Sequence, residues 1–196
     1  MSVESDLEAY GALLRKWNAV QNLVSRETLG HELRSRHIRD SLQLMSWIRP
    51  SDRYVLDLGS GGGFPAIPLA IASRGVERRF TLLEPSVKKA SFLRTVAREL
   101  HLPVSVETVR AEQFDSRETP DLITSRALAA LPVLLGYAVR FCGPNSHMLL
   151  HKGREYRREL DEAAQLFDFD VLVHESETDS EGVVLEIDNL HAKSVA

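Results

Sequence analysis

The chain has 196 residues, 43% of them hydrophobic, and a net charge of −4, which suits one domain with a full core and excludes a disordered or collagen-like chain. No apolar run approaches the roughly 20 residues of a bilayer span. The acidic start, "MSVESDLEAYG", lacks the apolar core of a signal peptide, so a cytoplasmic protein is expected.

Residues 4–17 and about 27–49 carry helical spacing of apolar residues, weakened at Gly11 in the first and broken at Pro50 after the second. From residue 54 strands and helices alternate. "YVLDL" (54–58) reads as a buried strand, followed after a glycine cluster by a helix near 65–74. "RFTLLE" (79–84) is a second strand, and "SVKKASFLRTVAREL" (86–100) a helix with Ser86 as N-cap. "PVSVETV" (103–109) and "DLITSRA" (121–127) are the third and fourth strands, the latter followed by a helix through Phe141. "SHMLLHK" (146–152) is the fifth, and "EYRRELDEAAQLF" (155–167) a helix. "FDVLVHE" (169–175) and "GVVLEID" (182–188) close the chain as an antiparallel pair around "SETDSE". This alternation predicts an α/β fold with a mostly parallel seven-stranded sheet. A helical extension (1–50) precedes the sheet domain (51–196), the whole forming one compact unit.

Charge is unevenly spread. Residues 1–158 hold 23 Lys/Arg and 17 Asp/Glu, a balance of +6; residues 159–196 hold one Lys and 11 Asp/Glu, a balance of −10. Such asymmetry suggests a polyanion partner, with the acidic end lying away from it. The basic candidates are Arg34, Arg36 and Arg39 in "RSRHIRD" and Lys88 and Lys89 in "VKKASFLR". Cys142, the single cysteine, excludes an internal disulfide and reads as a buried structural thiol. The seven histidines show no ligand spacing, so no metal is expected.

The stretch "DLGSGGGFP" holds four glycines in five positions between the first strand and its helix, where open α/β sheets bind nucleotides. A dinucleotide fingerprint starting at Gly59 and Gly61 would need glycine at 64, and Phe64 stands there; the G-K-[ST] of a phosphate-binding loop is absent. Asp57, the bare turn and Glu84 at the end of the second strand suit a ligand with a ribose and a cationic amino-acid end. S-adenosylmethionine is such a ligand, which points to a methyltransferase. Ala111 and Glu112 in "VRAEQF" fall at the same sheet edge; they read equally as adenine contacts or as a helix start.

These motifs together, "VLDLGSGGGFPAIPLAI", "LLEPSVKKASFLR", "VRAEQF", "ITSRALA" and "LLHKG", preceded by "KWNAVQNLVS" and "HIRDSL", resemble the bacterial small-subunit ribosomal RNA guanine-N7 methyltransferases, the glucose-inhibited division protein B family, over nearly the whole chain. The resemblance implies a Rossmann-like class I methyltransferase that modifies a guanine of 16S rRNA, as naked RNA or small subunit, and leaves S-adenosylhomocysteine. It implies that Gly59, Phe64, Ala111, Glu112 and Arg126 line the cofactor site with Glu84 on the ribose, and that Asn22, His37, Arg110, Arg126 and Lys152 face the substrate. N7 of guanine already carries a free lone pair, so in-line displacement needs alignment and no general base. His37 also reads as a packing residue. A small-molecule methyltransferase and a non-catalytic S-adenosylmethionine-binding protein are the competing readings. No stable protein partner, no membrane contact and a monomer are expected.

Overall fold

The alternating buried segments form the sheet that the sequence predicts. The computed structural model describes residues 2–21, 23 and 37–193. The strands are β1 (Tyr54–Leu58), β2 (Arg79–Leu83), β3 (Val104–Glu107), β4 (Leu122–Arg126), β5 (His147–Lys152), β6 (Phe167–Glu175) and β7 (Val183–Ala192), in the order β3-β2-β1-β4-β5-β7-β6. Neighbours pair in parallel from β3 to β5, whereas β7 runs antiparallel to both β5 and β6. All five β1 residues are buried, as a strand covered on both faces requires.

Six helices are described: α1 (Val3–Gln21), α2 (Arg39–Leu42), α3 (Ala66–Ala72), α4 (Val87–Glu99), α5 (Leu131–Ala138) and α6 (Tyr156–Leu166). None of the described helices is long and apolar enough to cross a membrane. On one face, Leu7, Tyr10 and Leu14 of α1 pack with Ile67, Ile71, Phe92 and Leu93. On the other, Leu131, Leu135 and Ala163 pack with Met148, Leu150 and Leu185. β1 serves both, with Val55 in the first core and Leu56 and Leu58 in the second, as period-two alternation dictates.

One helix ends earlier, and another begins later, than periodicity predicts. The segment expected to be helical over 27–49 is described only from residue 37; there α2 passes into a 3-10 turn, Gln43–Ser46, and ends. Pro50 disfavours helix at the residue before it, and the Asp52 carboxylate accepts the Arg49 N–H at 2.7 Å. The helix expected directly after β4 begins only at Leu131, with Pro132 in its first turn, because Ala127 adopts φ +54° and breaks the helical path. Ser86 caps α4 as predicted, its hydroxyl accepting from the Lys89 N–H.

Between β1 and β4 the strand order reverses direction. Ligands of open α/β sheets bind outside the carboxyl ends of the strands at such a point.

Candidate active site

The glycine loop leaves β1 and turns back on itself. Gly59, Gly61 and Gly63 have φ of +73°, +56° and +102°, the region where a side chain is strained. The N–H groups of Gly59 and Ser60 both donate to the Leu83 carbonyl at 3.0 Å, which ties the loop to β2. Glu84, next in the chain and buried, accepts the Gly61 N–H on Oε2 and the Ser86 N–H on Oε1, each at 2.8 Å. A carboxylate offers about four acceptor positions, so two remain for a ligand.

A cavity of about 420 Å³ opens over this loop. Gly59, Gly61, Phe64, Glu84, Arg126, His37 and Lys89 all reach its wall. Leu128 leans across it: a Cβ built on Gly59 would lie 2.6 Å from Leu128 Cδ1.

Asp57 does not reach that wall. It is buried beneath the loop, opposite Thr124 in register, and its Oδ1 accepts the Thr124 hydroxyl at 2.6 Å while Oδ2 has no hydrogen-bond partner. Burial pushes its carboxyl up to about 7, against the opposing hydrogen bond from Thr124. Ala111 and Glu112 lie in a short 3-10 turn after β3, outside the lining of this cavity. Ala111 is packed into the core and Glu112 is exposed, its carbonyl accepting from Arg140 at 2.6 Å.

Arg126 marks the boundary with a second cavity, of about 230 Å³, that both it and Ala127 also line. Its guanidinium donates to His37 Nδ1 at 2.5 Å and pairs with Asp40 Oδ2 at 3.3 Å, and its Cζ lies 5.8 Å from the Phe64 ring centroid. A guanidinium can only donate, so His37 Nδ1 carries the lone pair and the neutral ring holds its proton on Nε2. Asp40 is a residue that sequence reasoning missed. Its Oδ1 accepts from Gln43 at 2.7 Å and Thr178 at 2.9 Å, and its carbonyl accepts from His151 Nε2 at 2.9 Å. Burial lowers the pKa of His151 below the ordinary histidine value and keeps it neutral. The available signal was spacing: Asp40 follows His37 by three residues, one helical turn, so both meet the same group.

Lys152 lines the second cavity, and its ammonium is engaged there. It pairs with Glu159 at 2.5 Å and donates to the Ala129 carbonyl at 2.9 Å, while Glu159 accepts the Leu131 N–H at 2.6 Å. Lys152 and Glu159 thus clamp the loop that carries Ala127 and Leu128. Cys142 is half-buried, and burial raises its thiol pKa to about 11.

Of the basic candidates, Lys88 and Arg110 are exposed at the sheet's carboxyl edge, and Arg39 is exposed and 3.5 Å from Glu177. Asn22, Arg34 and Arg36 lie outside the described residues. The acidic C-terminal segment does not lie away from the site. Arg49 binds Glu186 and Asp188 at 3.3 and 2.8 Å, and Ser176, Thr178 and Asp179 of the β6–β7 turn line the cavity beside Arg126.

The family model described as GidB, rRNA small subunit methyltransferase G, matches residues 3–184. The chain belongs to this family. "Ribosomal RNA small subunit methyltransferase G" of Chelativorans sp. (strain BNC1) is 43% identical over 94% of this chain and 88% of its own length. The protein of that name from Brucella ovis is 42% identical over 96% of this chain and 88% of its own. Among solved structures, the O-methyltransferase from Bacillus cereus in complex with SAH superposes with a TM-score of 0.62 at 19% identity, covering 94% of this chain and 91% of that one. The glycopeptide N-methyltransferase MtfA complexed with S-adenosyl-L-methionine gives 0.64 at 11% identity, over 78% and 93%. At these identities the structures establish a shared fold, that of class I methyltransferases.

Proposed function

We propose that the chain methylates N7 of a guanine in 16S ribosomal RNA, with S-adenosylmethionine as donor. The observation that carries the reading is the position of Arg126, between a cavity walled by the glycine loop and Glu84 and a second cavity walled by side chains from distant segments. The first cavity suits the donor on two counts. The backbone is bare at Gly59, where a Cβ would fill the space under Leu128, and Glu84 keeps acceptor capacity for ribose hydroxyls.

When bound, S-adenosylmethionine would supply a methyl group on a sulfonium, so that the N7 lone pair could bond to the methyl carbon in line as the C–S bond breaks and the sulfur leaves as the neutral thioether of S-adenosylhomocysteine. The chain's own residues have to align and hold. The loop N–H groups tied to Leu83 fix the floor, and Glu84 orients the nucleoside. Ionised Asp57 would place a negative charge beneath a cationic ligand. The chemistry needs no proton abstracted from N7, and His37, the imidazole at the cleft, spends its Nδ1 lone pair on Arg126. Arg126 addresses O6, a phosphate or the donor's carboxylate, since a donor bonded to N7 would block the attack. The bidentate reach of its planar fork is what lysine lacks. Exposed Lys88, Arg110 and Arg39 serve RNA phosphates.

The test is to incubate the protein with methyl-labelled S-adenosylmethionine and small subunits that lack the modification, then map the label. A label on guanine N7 of the 16S RNA is expected. Transfer to a free metabolite instead, or binding without transfer, would overturn the reading.

A further inference from the structure

We infer that the N-terminal helix supports the cofactor site from behind the glycine loop, and that Tyr10 is the residue through which it positions that loop. The inference rests on the reading that the 420 Å³ cavity holds S-adenosylmethionine.

Tyr10 lies 52 residues from the loop in sequence, is fully buried, and donates its hydroxyl to the Gly62 carbonyl at 2.6 Å. Burial raises its pKa well above 10, so the hydroxyl remains a donor at any physiological pH. Its ring meets Phe64 edge-on, centroids 5.6 Å apart. A Cβ on Gly63 would come within 3.0 Å of the Tyr10 hydroxyl and 2.7 Å of Ile67. Three successive loop residues therefore rest on one side chain. Gly62 and Phe64 both line the cavity, and the Phe64 ring in turn lies 5.6 Å from His37. The glycine at 63 thereby gains a reason that ligand approach alone did not supply: it makes room for Ile67 and Tyr10. The helix is itself anchored, because buried Asp6 pairs with Arg74 at 2.6 Å and Leu7 and Leu14 sit in the core.

A floor supported in this way is preorganised, and its loss should appear as weaker cofactor binding and not as a slower chemical step. Tyr10→Phe keeps the ring and removes the hydroxyl. Its Kd and KM for S-adenosylmethionine should rise about five- to tenfold, a net buried hydrogen bond of about 1 kcal/mol or slightly more. Its kcat at saturating cofactor should stay within twofold. Leu14→Val, on the same helix but off the loop, should lower Tm comparably and leave Kd within twofold. In the unmodified chain, S-adenosylhomocysteine should slow amide exchange across residues 7–14, a measurement that does not depend on any variant folding. An unchanged Kd in Tyr10→Phe, an equal loss in Leu14→Val, or unprotected helix amides would each overturn the inference. If the unmodified chain bound no S-adenosylmethionine at all, the cavity assignment would fall, and the inference with it.

Discussion

The two sides of Arg126 are built differently. On the cofactor side the floor is backbone, with Gly59 and Gly61 left-handed, two loop N–H groups on Leu83 and two N–H groups on Glu84, and side chains such as Phe64, Lys89 and Leu128 stand around it. On the other side the wall is side chains from α2, β4, β5 and the β6–β7 turn, already bonded to one another through Asp40. A backbone wall tolerates almost no substitution at its bare positions, and among distant residues it depends on the few that hold it, such as Tyr10. A side-chain network is sensitive wherever one partner is removed, because the others are left buried and unpaired.

The sharpest break should come at Gly59. Gly59→Arg combines a positive φ, a side chain in the cavity and a clash with Leu128, so S-adenosylmethionine binding should vanish in calorimetry while the fold persists. Undiminished binding would remove the cavity from the argument. Glu84→Gln is a milder probe than Glu84→Ala, since it keeps an acceptor for the Gly61 or Ser86 N–H.

Across the boundary, Arg126→Lys should reduce single-turnover methyl transfer about a hundredfold, since one ammonium cannot hold His37, Asp40 and substrate together. Asp40→Asn keeps the shape and removes the charge. It should cost roughly tenfold in kcat with cofactor affinity within twofold, because Arg126 loses its ionic partner. Equal loss in kcat and cofactor binding would mean that the two sides form one unit.

The same contrast explains what was legible. The cofactor wall was visible in "DLGSGGGFP" and Glu84 because its geometry is local and glycine is the only residue that satisfies it. The sheet was legible for the same reason, from buried runs and caps such as Ser86. Tyr10 and Asp40 were not legible, because each acts through a partner 52 or more residues away and neither breaks any local pattern. Lys152 was visible at the right edge, but its engagement with Glu159 and Ala129 depends on where α6 docks. The contacts of the acidic C-terminal segment with Arg39 and Arg49 were not legible either, because net charge along the chain does not say which segments pair within the fold.

A pH titration sharpens the comparison on the cofactor side. The folded pKa of Asp57, about 7, lies above its ordinary 3.8. The native state therefore holds a proton that the unfolded state loses, and the stability from this group falls as pH rises from about 4 to 7, then levels. Asp57→Asn should remove that fall, as Tm measured from pH 4 to 8 would reveal. A cationic ligand favours the ionised form, so affinity for S-adenosylmethionine should rise with pH through about 7 and be flat in Asp57→Asn. Parallel curves for the two proteins would show that the charge does not reach the ligand.

The smallest effect belongs to the rim of the other side. Arg39 pairs with Glu177, and Arg154 with Glu181, both acids on the β6–β7 turn. All four side chains are more than half exposed, so each pair is worth about 0–1 kcal/mol and is screened by salt. RNA phosphates competing for the same arginines must displace these carboxylates. Glu177→Gln with Glu181→Gln should therefore raise RNA affinity about two- to fivefold at low salt, with the gain fading as ionic strength rises and cofactor affinity unchanged. Filter binding across a salt series measures both. A gain that persists at high salt would point to a steric effect of the turn and not to charge. No gain at low salt would put the turn off the RNA path and leave Lys88, Lys89 and Arg110, at the cofactor end of the edge, as the surface that meets the phosphates.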